Sequence, residues 1–323
     1  MKTCPAVSKN KPPLAQNVVI PTASRPHYRY NKIAKGGNAR SEGKRLEPAS
    51  ADKKHKKAVM RVTAREDRYL QGQFPLLRKR NLARDIYDFT LHSPEIAAAA
   101  EPGQFVHIAL PGHALRRPIS ICRVDREKGD VRIVFAVRGG GTADLAATGE
   151  RAALDVLGPL GHGFTLLSPE KKALLVGGGI GLPPLLTLSD YYREGATAIA
   201  GFRDAGGEIL RDDFEGNGSA FIACTEDGSR GRKGLVTEPL GELLANGGRY
   251  DMIYACGPMA MMRAVAALAA EYRTPCQVSL EQHMGCGIGA CLTCACKIRR
   301  RGETEFLRVC KDGPVFDAEE VCW

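Results

Sequence analysis

The sequence predicts a chain of mixed architecture: a small antiparallel β-barrel, a doubly wound parallel α/β sheet, and a short cysteine-rich module. Three observations carry that prediction. From about Gln73 to Phe164, short runs rich in Val, Ile and Phe recur at even spacing between turn residues. From Lys171 onward, continuous apolar runs alternate with helical patterns. From Pro275 to Trp323, cysteines gather among glycines in a segment too short for a full domain. The expected division is a basic tail over 1–60, the barrel over 61–167, the α/β domain over 168–274 and the cysteine module over 275–323.

The tail accounts for the chain's charge. Residues 1–57 hold fourteen Lys/Arg against three Asp/Glu, a net +11, so a chain of +10 is close to neutral elsewhere, at −1. Few apolar residues and no period mark this stretch as disordered. Binding to nucleic acid or an acidic surface is one use for it. A solvated extension, or translation starting at Met60, is the blander alternative. No run of about 18 apolar residues occurs, and the first residues lack a signal peptide's apolar segment, so no membrane span is expected.

In the barrel, strands are expected at Ala83–Leu91, Gln104–Leu110, Ile119–Val124 and Val131–Val137. Pro102-Gly103, Pro111-Gly112 and Lys128-Gly129-Asp130 supply turns. A helix is expected after Gly141, with Thr142 as its N-cap and Asp144 in its first turn. Two stretches here carry chemistry. Arg116-Arg117-Pro118-Ile119-Ser120 puts a guanidinium at a strand edge, where it can pair with phosphate, and a hydroxyl within reach of a flavin N5. Arg138-Gly139-Gly140-Gly141-Thr142 opens a helix with a glycine turn, a ready cradle for pyrophosphate. Either alone is weak; both in one barrel favour a flavin.

In the α/β domain, strands are expected at Ala173–Val176, Thr197–Phe202, Ala220–Cys224 and Met252–Ala255, with helices at Pro184–Arg193, Val236–Ala245 and Met259–Tyr272. Gly177-Gly178-Gly179-Ile180-Gly181-Leu182-Pro183-Pro184 follows the first strand. Its form is GGxGxxP rather than GxGxxG, and its glycines let backbone approach a pyrophosphate. Cys256-Gly257-Pro258-Met259 stands at the carboxyl end of the last strand, where open α/β sheets bind ligands, so Cys256 can face a nicotinamide. The blander alternative is a buried thiol in a turn.

In the last module, Cys286, Cys291 and Cys294 are spaced C-x4-C-x2-C, and Cys310 follows a short basic hairpin-like segment. That is the plant-type spacing of a [2Fe–2S] cluster. Gly285, Gly287 and Gly289 keep side chains out of the loop. Zinc is the competing metal, but its sites usually come as paired CxxC knuckles and only one clean CxxC is present. Cys296 offers a fifth thiol, and spacing favours Cys294.

Taken in order, these motifs resemble the ferredoxin–NADP reductase superfamily. With the cysteine module and the ending Cys310-Lys311-Asp312-Gly313-Pro314-Val315-Phe316-Asp317, the chain is similar to the electron-transfer subunits of heteromeric NAD-linked dihydroorotate dehydrogenases, over about Gln73 to Trp323. The resemblance implies FAD on the barrel, with Arg117, Pro118, Ile119 and Ser120 at its phosphate and ring, and Gly140, Gly141 and Thr142 at its pyrophosphate. It implies NAD at Gly178, Gly179, Gly181 and the Cys256-Gly257-Pro258 turn, and Cys286, Cys291, Cys294 and Cys310 as cluster ligands. Ile119 departs from the superfamily, which has an aromatic residue there. The implied partner is an FMN-containing catalytic subunit that oxidises dihydroorotate, two copies of each, in the cytoplasm and in pyrimidine biosynthesis. The cluster loop, Met284 to Cys296, is the expected interface. Two rivals stand beside this reading: a flavin/iron–sulfur subunit of an NAD(P)H–ferredoxin oxidoreductase or sulfide dehydrogenase, and a zinc-stabilised binding module without redox function. NAD and NADP stay open, since Arg203 and Asp204 both follow the second sheet strand.

Overall fold

Apolar residues alternate with polar ones along the first strands, and those strands close on themselves. A computed structural model of the chain describes residues 60–63 and 68–323. The expected disordered tail falls on residues outside the described set, Met60 apart. The barrel strands are β1 (Met60–Thr63), β2 (Arg68–Ala83), β3 (Ile86–His92), β4 (Phe105–Ala109), β5 (Arg117–Asp125), β6 (Asp130–Ala136) and β7 (Ala153–Leu160). They run antiparallel in the order β2-β3-β6-β5-β4-β7, and β7 returns to pair with β2; β1 is appended to β2. Val106, Ile108, Ile119, Ile121, Ile133 and Val156 point into the closed interior, while Phe105, His107 and Ser120 occupy outward positions by the period of two. Helices α1 (Pro94–Ala99) and α2 (Gly140–Ala147) lie between strands.

Strand β8 (Ala173–Gly178) opens the second layer. After it come α3 (Leu186–Tyr192), β9 (Ala196–Phe202), α4 (Arg211–Gly216), β10 (Ala220–Thr225), β11 (Arg232–Lys233), α5 (Thr237–Ala245), β12 (Met252–Cys256), α6 (Met259–Glu271) and β13 (Cys276–Ser279). The sheet order is β11-β10-β9-β8-β12-β13-β16, parallel except for β16 (Val315–Asp317). Order reverses between β8 and β12, so their carboxyl ends flank the topological switch point. The cysteine segment adds only one hairpin, β14 (Ala295–Arg300) with β15 (Glu303–Arg308).

Several local expectations give way to packing. The stretch Ala83–Leu91 is broken by a two-residue turn at Arg84-Asp85, where Asp85 takes φ +59°; the turn has none of the glycine that normally marks one. β7 was not legible because its Gly158-Pro159 reads as a turn. Thr142 is the third residue of α2 rather than its N-cap: its Oγ1 reaches back to accept from Arg138 N (2.8 Å) and Gly139 N (3.1 Å). The expected helix Pro184–Arg193 begins as 3-10 turns and is α-helical only from Leu186. Strands β13 and β16, which the boundary at 275 assigns to the cysteine module, hydrogen-bond into the parallel sheet. Their apolar pattern is too short to reveal that pairing.

Three cores result. One fills the barrel. A second lies between one sheet face and α3 and α4, and takes in Cys122 of β5. The third is shared by barrel, sheet and cysteine segment: Phe105, Leu157 and Leu160 belong to one cluster with Val176, Ala255, Met284, Cys294 and Cys310. The end motif seals this corner. Gly313 O accepts from His162 N at 2.6 Å, and a Cβ on Gly313 would sit 2.4 Å from the Phe316 ring.

Barrel and sheet are also joined by charge. Arg132 of β6 donates from Nε to Asp88 (3.0 Å) and from both terminal nitrogens to Asp213 of α4 (2.6 and 2.9 Å). Arg123 of β5 donates to Asp190 of α3 (2.5 and 2.8 Å) and to Asn217 (2.9 Å). Burial acts to raise the Asp213 carboxyl, but hydrogen bonds and charge from Arg132, then Arg123, hold it below the usual range.

Candidate functional site

Strand β5 organises the site because its neighbours reach both other modules. Its barrel-facing Ile119 is 8% exposed, within the barrel core, so this side chain fills the interior rather than the outer face of the strand. Pro118 and Ser120 lie on the outer face, opposite His107 and Phe105 of β4. Arg117 stands at the strand's start. Its guanidinium lies over Gly141, where a Cβ would come within 2.1 Å of its Nε. The two stretches read as flavin-binding thus converge, arginine against glycine turn, although 24 residues separate them. Sequence reasoning missed a third member, His113. Its Nδ1 is 3.1 Å from Arg117 Nη2 and its Nε2 is 2.6 Å from Asp144. Arg116 is committed elsewhere, to Asp155 at 2.9 Å and to the His107 carbonyl at 3.2 Å.

At the switch point the two expected nucleotide turns interlock. A Cβ on Gly181 would lie 2.3 Å from the Cys256 carbonyl oxygen, and one on Gly178 would meet Pro258 and Met261 at 2.7 Å. Gly257 has φ +151° and would carry a Cβ 3.0 Å from Gly178 N. Only glycine lets these backbones touch. Gly179, with φ +51°, has nothing within 4 Å of its Cβ position, so the backbone there lies open to a ligand. Cys256 is a neutral thiol: burial pushes it up to about 12, against a hydrogen bond with Ser279. β5 packs against the 3-10 turn Pro183–Leu185 of this same motif.

The cysteine loop gathers its thiols by backbone donors. Ala290 N and Cys291 N donate to Cys286 Sγ (3.2 and 3.4 Å), Gly289 N to Cys310 Sγ (3.1 Å) and Cys310 N to Cys294 Sγ (3.4 Å). The Cys291 thiol lies against Thr293 and Cys286, and the Cys310 thiol against Cys294. Such N–H groups aimed at sulfur stabilise bound thiolates and fit an iron–sulfur cluster. Among the described residues no three His, Cys, Asp or Glu converge tightly enough to grip one metal ion. Four thiols gathered in one loop, in two neighbouring pairs, fit a two-iron cluster with two thiolates to each iron. Cys296 lies on β14, outside the loop, and burial pushes its thiol up to about 11, with the Cys294 thiol beside it acting the same way. Gly287 (φ +74°) and Gly289 (φ +80°) adopt the left-handed conformation the loop requires.

The loop faces two ways. Cys291 and Leu292 are exposed, Leu292 at 63%. Inward, Gly287 packs on His107, where a Cβ would lie 2.4 Å from Nδ1. His107 is fully buried, and neither of its ring nitrogens has a hydrogen-bond partner. Burial, and the charges of Arg116 and Arg117, push it down to about 4. Nothing in the run QFVHIAL marks this histidine except its outward parity.

Comparison with known proteins agrees with this arrangement. The family model for the iron–sulfur cluster binding domain of dihydroorotate dehydrogenase B matches residues 281–322. The chain is 40% identical over 255 residues to the dihydroorotate dehydrogenase B (NAD+) electron transfer subunit of Bacillus cereus, covering 76% of this chain and 96% of that one. It is 41% identical over 248 residues to the same subunit of Caldanaerobacter subterraneus, with the same coverage. Among solved structures, a NADH-dependent reduced ferredoxin–NADP oxidoreductase, studied for flavin-based electron bifurcation, superposes with a TM-score of 0.70 at 33% identity, over 78% of this chain and 90% of that one. A ferredoxin reductase of carbazole 1,9a-dioxygenase, at 20% identity and a TM-score of 0.57 over 65% of this chain and 68% of that one, shares the fold. Identity of this extent, over nearly the whole length of the relatives, places the chain in the family of dihydroorotate dehydrogenase B (NAD+) electron transfer subunits.

Proposed function

We propose that this chain takes electrons from an FMN-bearing partner that oxidises dihydroorotate and delivers them to NAD+. It is an electron-transfer subunit of an NAD-linked oxidoreductase, with FAD, a [2Fe–2S] cluster and NAD as its cofactors. Nicotinamide exchanges two electrons as hydride and a cluster passes one, so a flavin, which does both, belongs between them. One observation carries the reading: β5 lies beside the nucleotide turn on one side and, through β4, beside the cluster loop on the other.

In this reading Arg117 and the amides of Gly140, Gly141 and Thr142 hold the FAD phosphates, and Pro118, Ile119 and Ser120 set the ring. Gly178, Gly179, Gly181, Gly257 and Pro258 admit the dinucleotide, with Cys256 beside the nicotinamide as a neutral thiol. Cys286, Cys291, Cys294 and Cys310 hold the cluster. The exposed Ile288, Cys291 and Leu292 form the face that the partner covers, in a heterotetramer of two copies of each subunit. The basic hairpin residues Arg299, Arg300 and Arg301 are exposed near it, Arg300 paired with Glu320 at 2.8 Å. Among the described residues no helix is long and apolar enough to cross a membrane.

Co-purification from the native host tests this. The expected result is an equimolar FMN protein that, with this chain, converts dihydroorotate and NAD+ to orotate and NADH. A partner acting on ferredoxin instead would move the chain to the function of its 33% identical structural neighbour.

A further inference from the structure

His107 is the one buried histidine at the junction of β4, β5 and the cluster loop. Its cross-strand neighbours are Pro118 of β5, which has no N–H to offer, and Leu157 of β7, whose side chain is apolar. The carbonyls of Arg116 and Cys286 lie beside the ring, yet neither makes a hydrogen bond of good geometry to it. A fully buried imidazole with both nitrogens unpaired is costly, because folding strips it of water and returns no hydrogen bond. A lone histidine in an apolar strand usually satisfies itself on nearby backbone; here the Arg116 carbonyl is already faced by Arg117 Nη1 at 3.5 Å, and the ligand-bearing turn offers the other carbonyl. The fit is steric as well, since the ring fills the space a side chain on Gly287 would need.

We propose that His107 is a positioning residue for the iron–sulfur cluster, its ring N–H donated to the Cys286 carbonyl in the loaded protein so that the Cys286–Gly287 turn is locked against the flavin strand. The inference rests on the reading of Cys286 as a ligand. The ring acts as a neutral donor, and no change of its protonation is involved. Its effect reaches the cluster through the backbone. The turn that His107 holds leads into Ala290 and Cys291, whose N–H groups lie 3.2 and 3.4 Å from Cys286 Sγ. Those donors favour the more negative, reduced cluster. A looser turn lengthens them and makes the cluster harder to reduce.

The test compares His107→Leu and His107→Asn in the FAD-loaded chain by anaerobic redox titration, followed by electron paramagnetic resonance. Leu keeps bulk and removes the donor; Asn keeps a donor where Nδ1 stands. The Leu variant is expected to lower the reduced-to-oxidised cluster ratio at fixed potential tenfold, about 59 mV for one electron, with a broadened signal and unchanged FAD content. The Asn variant is expected to recover most of that shift. A Leu variant with wild-type potential and line shape overturns the proposal, and so does an Asn variant no better than Leu. Should Leu fail to hold a cluster, Asn decides alone: a loaded cluster at wild-type potential supports the proposal, and an FAD-loaded Asn variant without a cluster, or with a shifted potential, overturns it. A wild-type chain with no cluster signal defeats the parent reading as well, so the two failures are distinguishable.

Discussion

The barrel meets the rest of the molecule along two seams of opposite chemistry. Against the helices of the α/β domain it presents charge: Arg123 and Arg132 to Asp190 and Asp213. Against the cluster loop it presents buried, largely apolar surface around His107: Phe105, Leu157 and Leu160 share one core with Met284, Cys294 and Cys310. Ion pairs that keep a quarter to a third of Asp213 and Asp190 in solvent can slide and re-form. Packed side chains cannot, because interiors are as dense as organic crystals and respond to a shift of one methylene. The difference matches the two traffics of the proposed function. In that reading a dinucleotide enters and leaves at the switch point, in the domain that the first seam joins to the barrel. Electrons cross the second, and their transfer falls steeply with distance, so that seam gains from rigidity. Burying each of its large side chains contributes about 1.5–3 kcal/mol.

The comparison can be broken at either seam, and the largest effect is expected at the second. Cys291→Ser should abolish the cluster's visible absorption and acid-labile sulfide while NADH–dye activity through FAD stays within about twofold, because nothing in the charged seam or switch point depends on the cluster; loss of both together would mean the loop supports the whole fold. Cys296→Ser should retain the cluster, as its thiol lies outside the two pairs.

At the switch point, Gly181→Ala forces a Cβ to within 2.3 Å of a backbone oxygen that cannot rotate away. NADH affinity should fall at least tenfold, about 1.4 kcal/mol, measured by titration of the flavin-loaded chain, with the cluster spectrum unchanged. Wild-type affinity would show that the two turns separate freely.

On the barrel, Arg117→Ala removes the guanidinium that lies over the glycine turn. FAD binding should weaken about tenfold or more, the scale of a charge-assisted hydrogen bond of about 1.5–3 kcal/mol. A variant that keeps full FAD occupancy on dilution rejects that role.

The smallest effect belongs to the charged seam. Asp213→Asn should cost about 1 kcal/mol of stability, since a quarter of Asp213 stays in solvent and Arg132 keeps Asp88, seen as a lower Tm with cluster and flavin spectra intact. The pH dependence follows from the same group. The Asp213 carboxyl is held low in the folded state, so its contribution is fully present above the unfolded carboxylate pKa of about 3.9 and is lost as pH falls through its lower folded value. The wild type should therefore lose more stability than Asp213→Asn on acidification from about pH 5 to 3; equal losses would remove Arg132–Asp213 as a clamp.

What could be read from the sequence was what chemistry places close together along the chain. The spacing of Cys286, Cys291 and Cys294 is local, and so are the glycine turns at 139–141 and 177–181, so ligand chemistry and fold class were legible. Features set by tertiary meeting were not. His113 gains its role only because α2 returns Asp144 beside β5. Arg132, Asp88 and Asp213 look like ordinary surface charges until α4 docks on the barrel. β13 and β16 are four and three residues long, too short for a periodic signal, and are strands because the sheet edge beside β12 accepts them. His107 sits in an apolar strand whose outer face would be solvent in a lone barrel.

The central claim is that one chain joins a two-electron site to a one-electron site. Anaerobic titration of the purified chain with NADH, followed by absorption and electron paramagnetic resonance, tests it directly. Bleaching of the flavin together with appearance of a reduced two-iron signal, in proportion to NADH added, is the predicted result. A colourless protein holding stoichiometric zinc, or a flavin that bleaches while no cluster signal ever appears, would contradict it.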